Sequence, residues 1–254
     1  MRTFIPILFL AFTSFKSVAQ TKIIHVLVAL CDNKYQGIVP VPAKIGNGQD
    51  PANNLYWGCG YGVKAFMKKQ TDWKFVKLIK DPTSIIYERA VFKHRTTNTY
   101  MIADAYNGAN IKETIEDFLA FSAGLRKLTI KSDSVLELNA GGNSNLICFV
   151  GHNGLMDFSF DNYPVKKDDN KRDVAIFACA SKPYFKEPLK NTGATPLIWT
   201  TGLMCPEAYT LVALVNGWIK KDNPAVIHES VAQSYLKYHK CGIKGARGLF
   251  ASGW

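Results

Sequence analysis

Leu146 to Val150 (LICFV), running straight into Gly151-His152-Asn153-Gly154, is the stretch on which the fold turns. An unbroken apolar run of strand length, closed by glycine, reads as a strand buried on both faces. A second run of this kind, Val174 to Ala178 (VAIFA), ends at Cys179, and a third, nearer the N-terminus, is Lys22 to Leu30 (KIIHVLVAL). Strands with no polar face need cover on both sides. That requirement predicts an α/β protein: a mostly parallel central sheet with helices on both faces.

The remaining elements fit this expectation when read outward from those strands. After Leu30 comes a long Gly-, Pro- and Asn-rich loop to about Leu55, a length often associated with function. Tyr56 to Lys69 reads as a helix and Trp73 to Ile79 as a strand, with extended pieces from Tyr87 to Thr96 and from Tyr100 onward. Asn110 is suited to cap a helix from Ile111 to Leu125, where Ile111, Ile115, Phe118 and Leu119 share a face. Leu155 to Phe160 alternates as a short hairpin would. Downstream, Lys182 to Lys190 predicts a short helix and Pro196 to Trp199 a strand. Further helices are predicted from Cys205 to Trp218 and from Pro224 to His239. The alternation of strands and helices, with no repeat and no linker, predicts one domain over residues 20–254.

The first nineteen residues are set apart. Arg2, the apolar run from Phe4 to Phe12, and small residues at Ser17 and Ala19 have the pattern of a signal peptide over residues 1–19. The run is well short of the roughly 20 residues a membrane helix needs, and no later stretch reaches that length. The expectation is a chain cleaved near Ala19, secreted or periplasmic, with no membrane span in its mature part. The formal charge of +11 falls to +9 without Arg2 and Lys16. Its lysines and arginines are scattered as short pairs rather than gathered among aromatics, so no nucleic-acid partner is expected.

Six cysteines follow the leader, an even number that permits disulfides but does not fix their pairing. There is no CxxC pair and no histidine at zinc-ligand spacing from a cysteine, so neither a metal nor a cofactor is expected.

In a parallel sheet, functional side chains gather beyond the carboxyl ends of the strands. His152 and Cys179 end two consecutive core strands, which places an imidazole and a thiol on the same edge. An imidazole that takes the thiol's proton creates a nucleophile for acyl transfer.

Phe149-Val-Gly-His152 together with Ile176-Phe-Ala-Cys179 resembles the caspase-like cysteine peptidases, a group that includes caspases, gingipains, legumains, separases and the related CHAT-type domains. In them an apolar strand ends in His-Gly and a later one in Ala-Cys. Gly193 to Trp199 and Pro206 to Leu211 resemble the strand and helix that follow the nucleophile in CHAT-type domains. The resemblance implies a caspase-like three-layer sandwich and hydrolysis of peptide bonds in a peptide or protein substrate. It implies Cys179 as nucleophile, His152 as the proton-handling group, and N–H groups near Asn153, Gly154 and Cys179 as oxyanion donors. One position departs from the pattern: Asn153 stands where the family has glycine. That departure supports an alternative, a catalytically inactive caspase-like domain serving as a secreted binding or interaction module, with Tyr35, Tyr56 and Trp57 as an aromatic surface.

Substrate recognition is expected from loops after the strands: Asp32 and Asn33, Ser181 and Lys182, Thr200 and Thr201. Asp32 would select a basic side chain and Lys182 an acidic one. Other chemistry is expected to be peripheral. Cys205, at a helix start, is a rival nucleophile without an imidazole beside it. His25 falls inside a core strand as a structural group, and His94 is expected at the surface. Asp104, at a strand end, is a possible member of a carboxylate pair for glycoside chemistry.

Overall fold

β1 (Lys22–Ala29) is buried along nearly its whole length, as its β-branched run requires. The computed structural model describes residues 20–131 and 137–254, so the leader reading at residues 1–19 lies outside the described residues. β1 pairs in parallel with β4 (Thr99–Tyr106) on one side and β7 (Leu146–Val150) on the other. β8 (Asp173–Phe177) and β9 (Thr195–Thr200) continue the parallel set beyond β7. β3 (Ile86–His94) and β2 (Trp73–Lys80) extend the β4 edge antiparallel, and β10 (Phe250–Ala251) closes the other edge. The eight-stranded sheet has the order β10-β9-β8-β7-β1-β4-β3-β2. A separate two-stranded hairpin is formed by β5 (Lys127–Lys131) and β6 (Glu137–Gly141).

The pleat of β1 sends alternate side chains to two cores. Ile24, Val26 and Val28 join Cys148 and Phe177 against the helices α1 (Val63–Met67), α4 (Ala208–Lys220) and α5 (Pro224–His239). Leu27 and Ala29 join Phe149 and Ile176 against α2 (Ile111–Ser122) and α3 (Ser181–Thr192). A last short helix, α6 (Ile243–Leu249), packs on α5. The protein is therefore an α/β three-layer sandwich around a largely parallel sheet.

Several local expectations are revised. The helix from Tyr56 shrinks to α1, because Gly62 packs so closely on the Trp57 backbone that a Cβ there would stand 2.5 Å from it. Asn110 does not cap α2; Asn107 instead accepts from Ala109 N and shapes a 3-10 turn ahead of the helix. The stretch after His152 is a 3-10 turn over Gly154–Met156 rather than a hairpin strand. Cys205 precedes α4 by three residues, so it has no helix N-terminus behind it. His94 is buried, edge-on to Trp73 at 5.1 Å and bonded through Nδ1 to Thr97 Oγ1 at 2.9 Å.

A buried polar cluster of His25, Asp104 and Arg89 lies inside the sheet. His25 stacks on Phe121 with ring centroids 5.1 Å apart, and its Nδ1 accepts from Gly141 N at 3.1 Å. Nε2 therefore carries the ring hydrogen and donates to Asp104 Oδ2 at 3.0 Å. Arg89 grips the same carboxylate through Nε and Nη2 at 2.6 and 2.7 Å. Asp104 is fully buried and committed to these partners, so it is a structural anion and not one of a pair of glycosidic carboxylates.

Candidate active site

From β1 the chain passes through α1, β2 and β3 to reach β4 on one side, and later enters β7 on the other. Connections from β1 and β7 thus run apart, which opens a crevice at their carboxyl ends. A cavity of about 420 Å³ lies there. Its walls come from the loop after β1 (Gly37 to Val41, Leu55 and Tyr56) and from the residues after β7, β8 and β9. His152 and Cys179 both line it, so the structure brings the two sequence-selected residues to one site.

The approach to His152 is set by Gly151, whose φ of +153° and 3.0 Å clearance from Ala29 exclude a side chain. The imidazole is buried, and its Nε2 lies 2.6 Å from Asp157 Oδ2. Asp157 closes the 3-10 turn and also accepts from Gly37 N at 3.3 Å. A Cβ on Gly37 would come within 2.5 Å of the carboxylate, so glycine is what lets the loop after β1 reach it. Among the described residues His152 Nδ1 has no hydrogen-bond partner, and it is the ring nitrogen left for proton transfer.

Cys179 sits on the turn from β8 into α3. Its Sγ is 3.3 Å from both the N and the O of Met204. The turn is pinned from below: Ser181 N donates to Thr200 Oγ1 at 3.0 Å, Thr200 N to Ser181 Oγ at 2.9 Å, and Thr200 Oγ1 to the Ala178 carbonyl. Ala180, directly after the thiol, has φ 45° and ψ 38°, a left-handed conformation that costs a non-glycine residue about 1–3 kcal/mol. Ala180→Gly is expected to raise stability by up to about 1 kcal/mol, the relieved strain being partly offset by unfolded-chain entropy. Denaturant unfolding checks this, and a lower midpoint for the variant would mean that no strain is stored at the turn.

Asn153 takes an ordinary φ of −81°, so glycine's freedom is not needed there. Its side chain accepts from Leu155 N at 3.2 Å and donates to the Cys179 carbonyl at 2.8 Å, tying the histidine loop to the cysteine turn. The N–H groups of Asn153 and Cys179 donate to nothing among the described residues. Gly154 N, by contrast, is spent on the His152 carbonyl at 3.1 Å.

The residues expected to read substrate are placed otherwise. Asp32 is buried outside the cavity lining, where it accepts from Lys34 N, Tyr35 N and Gln49 Nε2. Asn33 bonds both backbone groups of Val41 and so shapes the cavity wall without entering it. Ser181 and Thr200 are buried beneath the cysteine turn, while Thr201 Oγ1 reaches the Gly248 carbonyl at 2.7 Å. Lys182 lies over the Trp199 ring, 5.4 Å from its centroid. Of the three aromatic residues, Tyr56 lines the cavity, Trp57 is buried and donates to Glu88, and Tyr35 is exposed beneath Lys34.

The rival thiols are held back. Cys31 lies beneath the site, where burial pushes its thiol up to about 11 against the opposing effect of its hydrogen bond to Tyr56. Desolvation also raises Cys205, with the nearby Glu207 carboxylate adding to the effect. Complete burial pushes Cys148 far up. All six cysteines are free thiols. Among the described residues no cluster of three or more His, Cys, Asp or Glu is arranged to hold a metal ion, and no helix is long and apolar enough to cross a membrane.

The fold and crevice define an α/β protein with a thiol, an imidazole and a carboxylate at the carboxyl edge of its sheet. No family model, no curated protein and no solved structure matches the chain.

Proposed function

We propose that the chain is a caspase-like cysteine peptidase, exported if residues 1–19 act as a leader. The observation that carries this is that Cys179 and His152, at the ends of adjacent parallel strands, line one cavity while Asp157 holds the far side of the imidazole. In this reading the Cys179 sulfur attacks the scissile carbonyl as His152 Nδ1 takes its proton. The S–C bond forms, and the oxyanion is met by the N–H groups of Asn153 and Cys179. His152 returns the proton to the leaving amine as the C–N bond breaks, and water then hydrolyses the thioester.

A second reading, a non-catalytic binding domain, is favoured by the Cys179 thiol bonding to the Met204 backbone and not to His152. Catalytic hydrogen bonds are often long or poorly aligned without substrate, so this contact does not by itself remove the catalytic reading. Iodoacetamide labelling with peptide mapping separates them. In the catalytic reading Cys179 labels faster than the exposed Cys241, and His152→Ala slows Cys179 alone by about 10-fold or more. Labelling of Cys179 no faster than Cys241, and indifferent to His152, would leave only the binding domain.

A further inference from the structure

The cavity beside Cys179 has a composition that restricts what can occupy it. None of its 16 lining residues is Asp, Glu, Lys or Arg. Tyr56, Met204 and Tyr235 are buried in its lining, and Ile38 to Val41 with Leu203, Cys205 and Pro206 complete much of the rest. At the mouth Val39, Met156 and Leu203 are large apolar residues left in contact with water. A charged side chain entering this space would lose its hydration with no counter-ion to replace it, whereas an apolar one gains by leaving water. The two charged residues expected to select substrate, Asp32 and Lys182, do not line the cavity.

From this we infer that the cavity is the specificity pocket for a large apolar side chain on the acyl side of the scissile bond. This rests on the peptidase reading above. The position follows from the nucleophile: Cys179 lines the same cavity that receives the side chain, so the residue whose carbonyl it attacks is the one best placed to fill it. A peptide is assigned in preference to a bare acyl chain because the loop that lines the cavity also carries unspent main-chain donors. Ile38 and Val39 carry backbone N–H groups that donate to nothing among the described residues, and a neighbouring peptide carbonyl can accept from them. The loop that reads the side chain is also the one whose Gly37 reaches Asp157, so substrate contact and the imidazole's partner share one segment.

The test uses three peptidyl acyloxymethyl ketones differing only in the residue next to the ketone: leucine, lysine or aspartate. The leucine probe is expected to alkylate Cys179 about 10–100-fold faster than the other two. Leu203→Lys, at an exposed rim position that folding does not depend on, should lower the leucine-to-aspartate ratio about tenfold. Peptide mapping must assign the adduct, because Cys205 lines the same cavity. Equal rates for the three probes at Cys179, with dependence on His152 retained, would overturn the pocket assignment and leave the peptidase reading standing. No reaction at Cys179 with any probe, in the wild type or in His152→Ala, would remove both. Turnover of p-nitrophenyl octanoate through Cys179, with the three peptidyl probes indistinguishable, would overturn the inference in favour of an acyl-chain site.

Discussion

Asp104→Ala is expected to destabilise the protein by about 3–5 kcal/mol, read as a lower urea midpoint with an unchanged slope. The carboxylate is fully buried between β1 and β3 and satisfies both the Arg89 fork and His25 Nε2. Removing it leaves a nearly buried guanidinium with no counter-ion, which costs far more than the intact pair contributes. The double variant Asp104→Leu with Arg89→Met should recover a large part of the loss, because it removes the stranded charge along with its partner. If the double variant were no more stable than Asp104→Ala, the account by an unpaired charge would fail. The pH dependence has a definite sign. Burial pushes the Asp104 carboxyl up, but the two Arg89 hydrogen bonds and His25 outweigh it and hold the group below the usual carboxylate range. A depressed folded value contributes stability that is present above the ordinary carboxylate range, near pH 4, and is lost as pH falls through the folded value. The difference between wild type and Asp104→Ala should therefore narrow in acid.

What was legible in the sequence follows from where information is local. β1, β7 and β8 announce themselves because burial on both faces forces continuous apolar runs, and α5 is legible because Pro224 and His239 mark its ends. Placing His152 and Cys179 together needed only that β7 and β8 be neighbours, as they are. Asp157 was missed because its role depends on the 3-10 turn at Gly154–Met156, which swings a residue five positions on back to the imidazole. Alternating polarity suggested a strand there, and a strand would have carried the carboxylate away. Asp32 failed to announce its actual work for a related reason. Its charge suggested a ligand, yet Gln36, Gln49 and Gly48 close the loop around it, and that closure joins residues up to 17 positions apart within an irregular segment. The apolar character of the crevice was likewise hidden, since its walls come from four separate loops.

The carboxylate that sequence did not reveal carries the sharpest kinetic expectation. Asp157→Asn should slow alkylation of Cys179 by the leucine acyloxymethyl ketone by about 10²–10⁴-fold, and should do so more severely than Asp157→Ala. With aspartate in place, Nε2 holds the ring hydrogen toward Oδ2 and Nδ1 presents its lone pair to the thiol. An asparagine amide can instead donate to Nε2, which moves the ring hydrogen to Nδ1 and removes the acceptor that Cys179 needs. Alanine loses the orienting bond but leaves both tautomers accessible, so part of the rate survives. A purely structural role predicts the opposite ranking, because asparagine preserves the shape of the turn and the bond from Gly37 N while alanine loses both. Asparagine matching wild type, with alanine impaired, would therefore place Asp157 outside the proton path and leave it as a support for the loop after β1.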